Sequence, residues 1–329
     1  MSKSMELVCP AGTPASLRAA VDAGADTVYL GFRDETNARN FPGLNFNRDE
    51  LAEGIKYAHD RDAHVYVAVN TYPRAGHLGP WHRAIDDSAR LKADAVIIAD
   101  IGLAGYAKEN HPDLRRHLSV QASASTAEAI EFYRREFGVR RVVLPRVLTL
   151  PEIAAINKEV EVETEVFVFG GLCVMAEGRC SLSSYVTGIS PNKEGVCSPA
   201  SHVAYEEKGD KLVTTLGGKT INVFPENEPA GYPTLCKGRF VHEDKTSYLF
   251  EEPTSLSILH LLPELEKAGV RGLKIEGRQR GRAYVSQVVS SFRKALDAMA
   301  KGEQFSAAEL IAVTEGGRET AGAYKRGWA

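Results

Sequence analysis

The chain has 329 residues, 43% hydrophobic and 25% charged, with a net charge of −3. That length suits one large domain or two small ones, and the composition is that of a soluble globular protein. The charge balance gives no general attraction to nucleic acid or anionic lipid, so nucleic acid is not an expected partner. The opening MSKSMELVCPAG lacks the apolar core of a signal peptide, and no apolar run is long enough to span a bilayer. The expected setting is cytoplasmic, where metal binding by cysteines is favoured over disulfides.

In chain order, short apolar runs alternate with amphipathic stretches. The runs are Glu6–Cys9, Thr27–Leu30, His64–Val69, Ala95–Ala99, Leu118–Gln121, Arg141–Leu144, Val162–Phe169 and Gly272–Ile275. They are rich in Val, Ile and Leu and mostly not alternating, as in strands buried on both faces of a parallel sheet. Helical spacing of apolar residues marks Pro14–Ala23, Arg48–Arg61, Trp81–Leu91, Ala104–Asn110, Thr126–Phe137 and Leu150–Asn157. Eight strand–helix units predict a closed (β/α)8 TIM-like barrel, with an open doubly wound sheet as the alternative. No G-x-G-x-x-G follows an early strand, which weakens a dinucleotide-binding version of that alternative.

The rhythm breaks between the seventh and eighth runs. Residues 170–271 form a Pro- and Gly-rich insertion, too long for a plain connection and so read as functional. Within it Pro253–Lys267 reads as a barrel helix. The barrel with its insertion occupies 1–301, closing on the helix Tyr284–Lys301, and 302–329 is a polar C-terminal tail. Cys173, Cys180, Cys197 and Cys236 lie in the insertion with spacing C-x6-C-x16-C-x38-C. Structural zinc usually takes tight C-x2–4-C pairs, whereas an iron–sulfur cluster needs four converging thiolates at no fixed spacing. Spacing therefore favours iron–sulfur and leaves zinc or unliganded thiols open. Cys9 ends the first run and reads as a small core residue.

Active sites of such barrels sit where strands end. Asn37 and Arg39 follow the second run, Asn70 the third, Asp100 the fourth, Gln121 and Ser123 the fifth. Arg146 follows the sixth, and Glu276 and Arg278 the eighth. We take Asn37, Arg39, Arg146, Glu276 and Arg278 as the candidate substrate site, because a guanidinium fork matches a carboxylate. The competing reading makes them helix caps and salt bridges. No H-E-x-x-H, G-x-S-x-G or Walker A sequence occurs, so hydrolase machinery is not visible and no catalytic residue is assigned.

ELVCPAG, NARNFPGLNF, SVQAS, VVLPRVL, the cysteine-bearing GGLCVMAEGRCSLSSYVTGISPN, AGYPTLCKGR and KIEGRQR together resemble the collagenase-like peptidase U family, and within it the UbiU-like branch of ubiquinone biosynthesis. The resemblance covers about Met5 to Lys301. It implies one [4Fe–4S] cluster on Cys173, Cys180, Cys197 and Cys236. It also implies a heterodimer with a UbiV-like protein and a UbiT-like lipid carrier. The implied activity is O2-independent ring hydroxylation of a ubiquinone precursor, with prephenate as oxygen source and without peptidase activity. The alternatives are a prephenate-dependent RNA-base hydroxylase and a non-catalytic electron-transfer or scaffold subunit.

Overall fold

The computed structural model describes residues 5–173, 180–194, 196–306 and 308–325. The stretch 174–179, between the first two cysteines of the insertion, lies outside them. Six strand–helix units open the chain. They are β1 Glu6–Pro10 with α1 Pro14–Asp22, β2 Thr27–Gly31 with α2 Arg48–His59, and β3 His64–Val69 with α3 Gly79–Arg90. Next come β4 Ala95–Ile98 with α4 Ile101–Asn110, β5 Arg115–Leu118 with α5 Ala127–Phe137, and β6 Val139–Val143 with α6 Leu150–Glu159. The strand β7 Glu163–Gly171 leads into the insertion, which carries α7 Ser181–Thr187 and α8 Pro191–Glu194. Two small antiparallel sheets follow: β8 Val203–Lys208, β9 Lys211–Leu216 and β10 Lys219–Pro225, then β11 Arg239–His242 and β12 Lys245–Tyr248. After β13 Ser255–Ser257 and α9 Leu262–Lys267, the strand β14 Gly272–Ile275 returns to the barrel, and α10 Arg282–Ala300 packs beside α1.

Strands β1 to β7 pair in parallel in sequence order, and β14 pairs in parallel with both β7 and β1, closing an eight-stranded barrel. Local chemistry sets the helix starts. Thr13 with Ser16, Asn47 with Glu50 and Thr149 with Glu152 form reciprocal capping boxes at α1, α2 and α6, each stabilising by about 1 kcal/mol. Leu7, Cys9 and Ala11 enter the large core between strands and helices, while Val8 points into the lumen with Tyr29, Tyr66, Ala95 and Ile97. Cys9 is thus a buried core residue, its thiol pushed well up by burial.

The lumen is partly ionic. Arg141 donates to Glu6 at 2.5 Å, Glu163 at 2.7 Å and Glu165 at 3.3 Å, and Lys274 donates to Glu165 at 2.6 Å. Charges this deep persist because each has a partner; losing one partner strands the rest in a low dielectric.

Two sequence expectations shift. The fifth strand is Arg115–Leu118, not Leu118–Gln121, which instead begins a 3-10 turn at Val120. Its charged letters hide a buried strand: Arg116 donates to the carbonyls of His111, Leu114 and Phe137, and His117 takes a hydrogen bond from Arg115. Pro253–Lys267 is not one helix. Strand β13 pairs antiparallel with β7, and only Leu262–Lys267 is α-helical. In the described part of the tail, the short β15 Glu319–Thr320 pairs with β13, and buried Tyr324 donates to the Phe167 carbonyl at 2.7 Å. Among the described residues no helix is long and apolar enough to cross a membrane.

Candidate active site

The loops after the strands meet over a cavity of about 550 Å³, counting the part open to solvent. The room it leaves for water-sized spheres is about 50 Å³. Tyr29, Ile97, Val143 and Phe167 supply apolar wall, and Arg39, Arg146, Lys274, Glu276 and Arg278 supply charge. Four of the five candidate residues thus line one cavity, joined by Asn70 and Gln121 from the loops after β3 and β5.

Asn37 stands behind the cavity. It is fully buried, donates to the Phe32 carbonyl, and accepts from the Arg39 backbone N–H at 2.8 Å and the Arg278 guanidinium at 3.4 Å. Gly31 makes room for it, because a Cβ there would lie 2.6 Å from the Asn37 side chain. Asn37 therefore orients Arg278 without itself facing a ligand. Asp100 caps α4 through the Leu103 N–H at 3.0 Å, and Ser123 sits in the left-handed region at the end of the turn, so the capping reading holds for those two.

Arg278 is 6% exposed, and no carboxylate lies within salt-bridge distance of it among the described residues. Burial presses its pKa down to about 10, with Tyr29 acting in the opposite sense. A buried guanidinium with one long hydrogen bond is costly unless an anion completes it. Arg146 differs: it donates to the Gly171 carbonyl at 2.9 Å and stacks 4.4 Å from the centre of the Phe167 ring. Glu276 accepts from the Gly171 N–H at 3.3 Å. Together they hold the last residue of β7, two positions before Cys173, so the cavity and the root of the insertion share side chains.

None of the four cysteines of the insertion forms a disulfide. Burial, then the nearby Cys173 and Cys197, push the Cys236 thiol up to about 12, so those two thiols lie within electrostatic reach of Cys236. Cys180 stands just before α7 without a side-chain capping hydrogen bond, its Sγ donating to the Ser183 hydroxyl at 3.6 Å. Among the described residues, no three side chains already converge into a metal cage. The donor chemistry nevertheless fits a four-thiolate group: four cysteines outside any disulfide in one insertion, two of them within electrostatic reach of Cys236, at the face where the strands end.

Lys274 is the residue that the sequence reading passed over. It sits inside GLKI, where a lysine looks like a surface letter in a short strand. The available signal was charge within buried strands, since Arg141, Glu163, Glu165 and Lys274 all interrupt apolar runs.

A sequence model of peptidase family U32 matches residues 12–328. The chain is 34% identical over 327 residues to the tRNA hydroxylation protein P of Haemophilus influenzae, covering 91% of this chain and 69% of that protein. It is 33% identical over 336 residues to the tRNA hydroxylation protein P of Escherichia coli, covering 94% and 72%. The 23S rRNA 5-hydroxycytidine C2501 synthase of Escherichia coli is 31% identical over 301 residues, which are 91% of this chain and 40% of that protein.

Proposed function

Because the chain belongs to peptidase family U32, we propose that it is an O2-independent ring hydroxylase of that family, acting in ubiquinone biosynthesis like the UbiU-like branch it resembles. The observation that carries this reading is Arg278, a buried guanidinium with no carboxylate in salt-bridge distance among the described residues, at the wall of a strand-end cavity beside the root of the cysteine insertion. Arg278 and Arg39 bind the carboxylates of an oxygen donor, expected to be prephenate. Arg146 and Glu276 keep the insertion root against the cavity, and Ile97, Val143 and Phe167 exclude water from the reacting ring. Ring hydroxylation balances as Ar–H plus donor–OH giving Ar–OH plus donor–H, the donor taking the two electrons that the ring loses.

Cys173, Cys180, Cys197 and Cys236 would hold a [4Fe–4S] cluster, which when bound supplies one-electron transfer. The partners in this reading are a UbiV-like second subunit and a UbiT-like lipid carrier.

A second reading, RNA-base hydroxylation, is favoured by the activities for which the tRNA- and rRNA-modifying relatives are named. Anaerobic growth of a deletion strain separates the two: loss of quinone supports the first, and loss of a hydroxylated nucleoside with quinone retained supports the second. Complementing that strain with Arg39→Ala, Arg146→Ala and Arg278→Ala singly tests the donor site. Full quinone levels with all three variants would end the carboxylate-donor account.

A further inference from the structure

Lys274 is 5% exposed, and what remains accessible of it lines the cavity. Its ammonium donates to Glu165 at 2.6 Å and lies 3.7 Å from the centre of the Tyr29 ring. Those two contacts occupy two of its three N–H directions, and no other hydrogen-bond acceptor meets it among the described residues. The Tyr29 ring is fixed, because its hydroxyl donates to the Ile275 carbonyl at 2.8 Å. The guanidinium carbon of Arg278 stands 5.5 Å from the centre of the same ring, and Tyr29, Lys274 and Arg278 line one cavity.

We propose that Lys274 is a specificity-determining residue of this cavity, donating to a second oxygen-bearing group of a ligand whose carboxylate is held by Arg278. The proposal rests on the reading of the cavity as a donor site. Its ligand class is a small acid with two separated oxygen functions. Glu165 compensates the lysine charge, and Arg141 holds Glu165 in turn at 3.3 Å. Lys274 therefore contributes a directed hydrogen bond, while the net charge comes from the arginines.

The test measures binding of two probes by calorimetry: prephenate, which has both functions, and 3-phenylpropionate, which has one carboxylate. Lys274→Met would strand Glu165, so the variant used is Lys274→Met/Glu165→Gln, with thermal unfolding as the control for folding. Wild type is expected to prefer prephenate. The double variant should lose about tenfold or more of its prephenate affinity while keeping its affinity for 3-phenylpropionate, and Arg278→Gln should weaken both. Unchanged prephenate affinity in the folded double variant, or equal loss for both probes, overturns the role of Lys274 and leaves the donor site standing. No binding of prephenate by wild type overturns the donor site itself, and this inference with it.

Discussion

Arg278 keeps its geometry because glycine and asparagine give it room and direction. A Cβ on Gly12 would sit 1.8 Å from the Arg278 carbonyl oxygen, so the loop after β14 can close over β1 only above a glycine. Gly12→Ala should push that loop away, weaken donor binding more than tenfold and lower the unfolding free energy by about 1–3 kcal/mol; binding calorimetry and urea denaturation read the two effects. Unchanged binding would detach Arg278 from the site. At this scale the arginines were legible because LPR and KIEGR place them directly after apolar runs. The role of Asn37 was not, since a side chain that turns back on its own loop looks in sequence like one that faces a ligand. Lys274 was hidden for the opposite reason: burial inside a strand gives a lysine no motif.

At the scale of elements, the insertion is tied to the barrel from two sides. Lys237, next to Cys236, pairs with Glu315 from the tail, and Glu315 also accepts from Arg280 at 3.1 Å after β14. The Glu315 backbone N–H donates to the Ser255 hydroxyl at 2.9 Å at the start of β13. Glu315→Gln should cost only about 1 kcal/mol, because the group is partly solvated. Hydrogen exchange over residues 235–248 should nevertheless accelerate, and unchanged exchange there would show that the tail does not brace the insertion. None of this bracing shows in sequence, where the tail is polar and lacks periodicity. The barrel helices are legible because their apolar faces repeat every three or four residues, as Leu51, Ile55 and Ala58 do on α2. Strand β5 is not, since Arg116 is met by carbonyls, Arg115 by Glu163 and His117, and His117 keeps a buried Nδ1 with no partner.

For the whole molecule, the ionic lumen and the acidic residues at strand starts set the response to pH. Burial raises the Asp94 pKa, but hydrogen bonds from His64, His59 and the Val65 N–H outweigh this and hold it at about 2. A carboxylate depressed in the folded state contributes stability above its unfolded pKa and loses it as pH falls through the folded value. Roughly 2 kcal/mol present at about pH 5 should therefore vanish between about pH 4 and 2. Asp94→Asn should flatten that limb of the stability curve, and a wild-type slope in the variant would assign the acid sensitivity elsewhere. In the lumen, Arg141→Met leaves Glu6, Glu163 and Glu165 short of a partner and should destabilise by about 3–5 kcal/mol in urea unfolding.

The central proposal is that a strand-end anion cavity works beside four cysteines that hold an iron–sulfur cluster. Iron, acid-labile sulfide and EPR of anaerobically purified protein, wild type against Cys236→Ala, test it most directly. The account predicts about four irons and four sulfides per chain, lost in a variant that still melts cooperatively. A colourless wild type with stoichiometric zinc, or iron unchanged in Cys236→Ala, would contradict it.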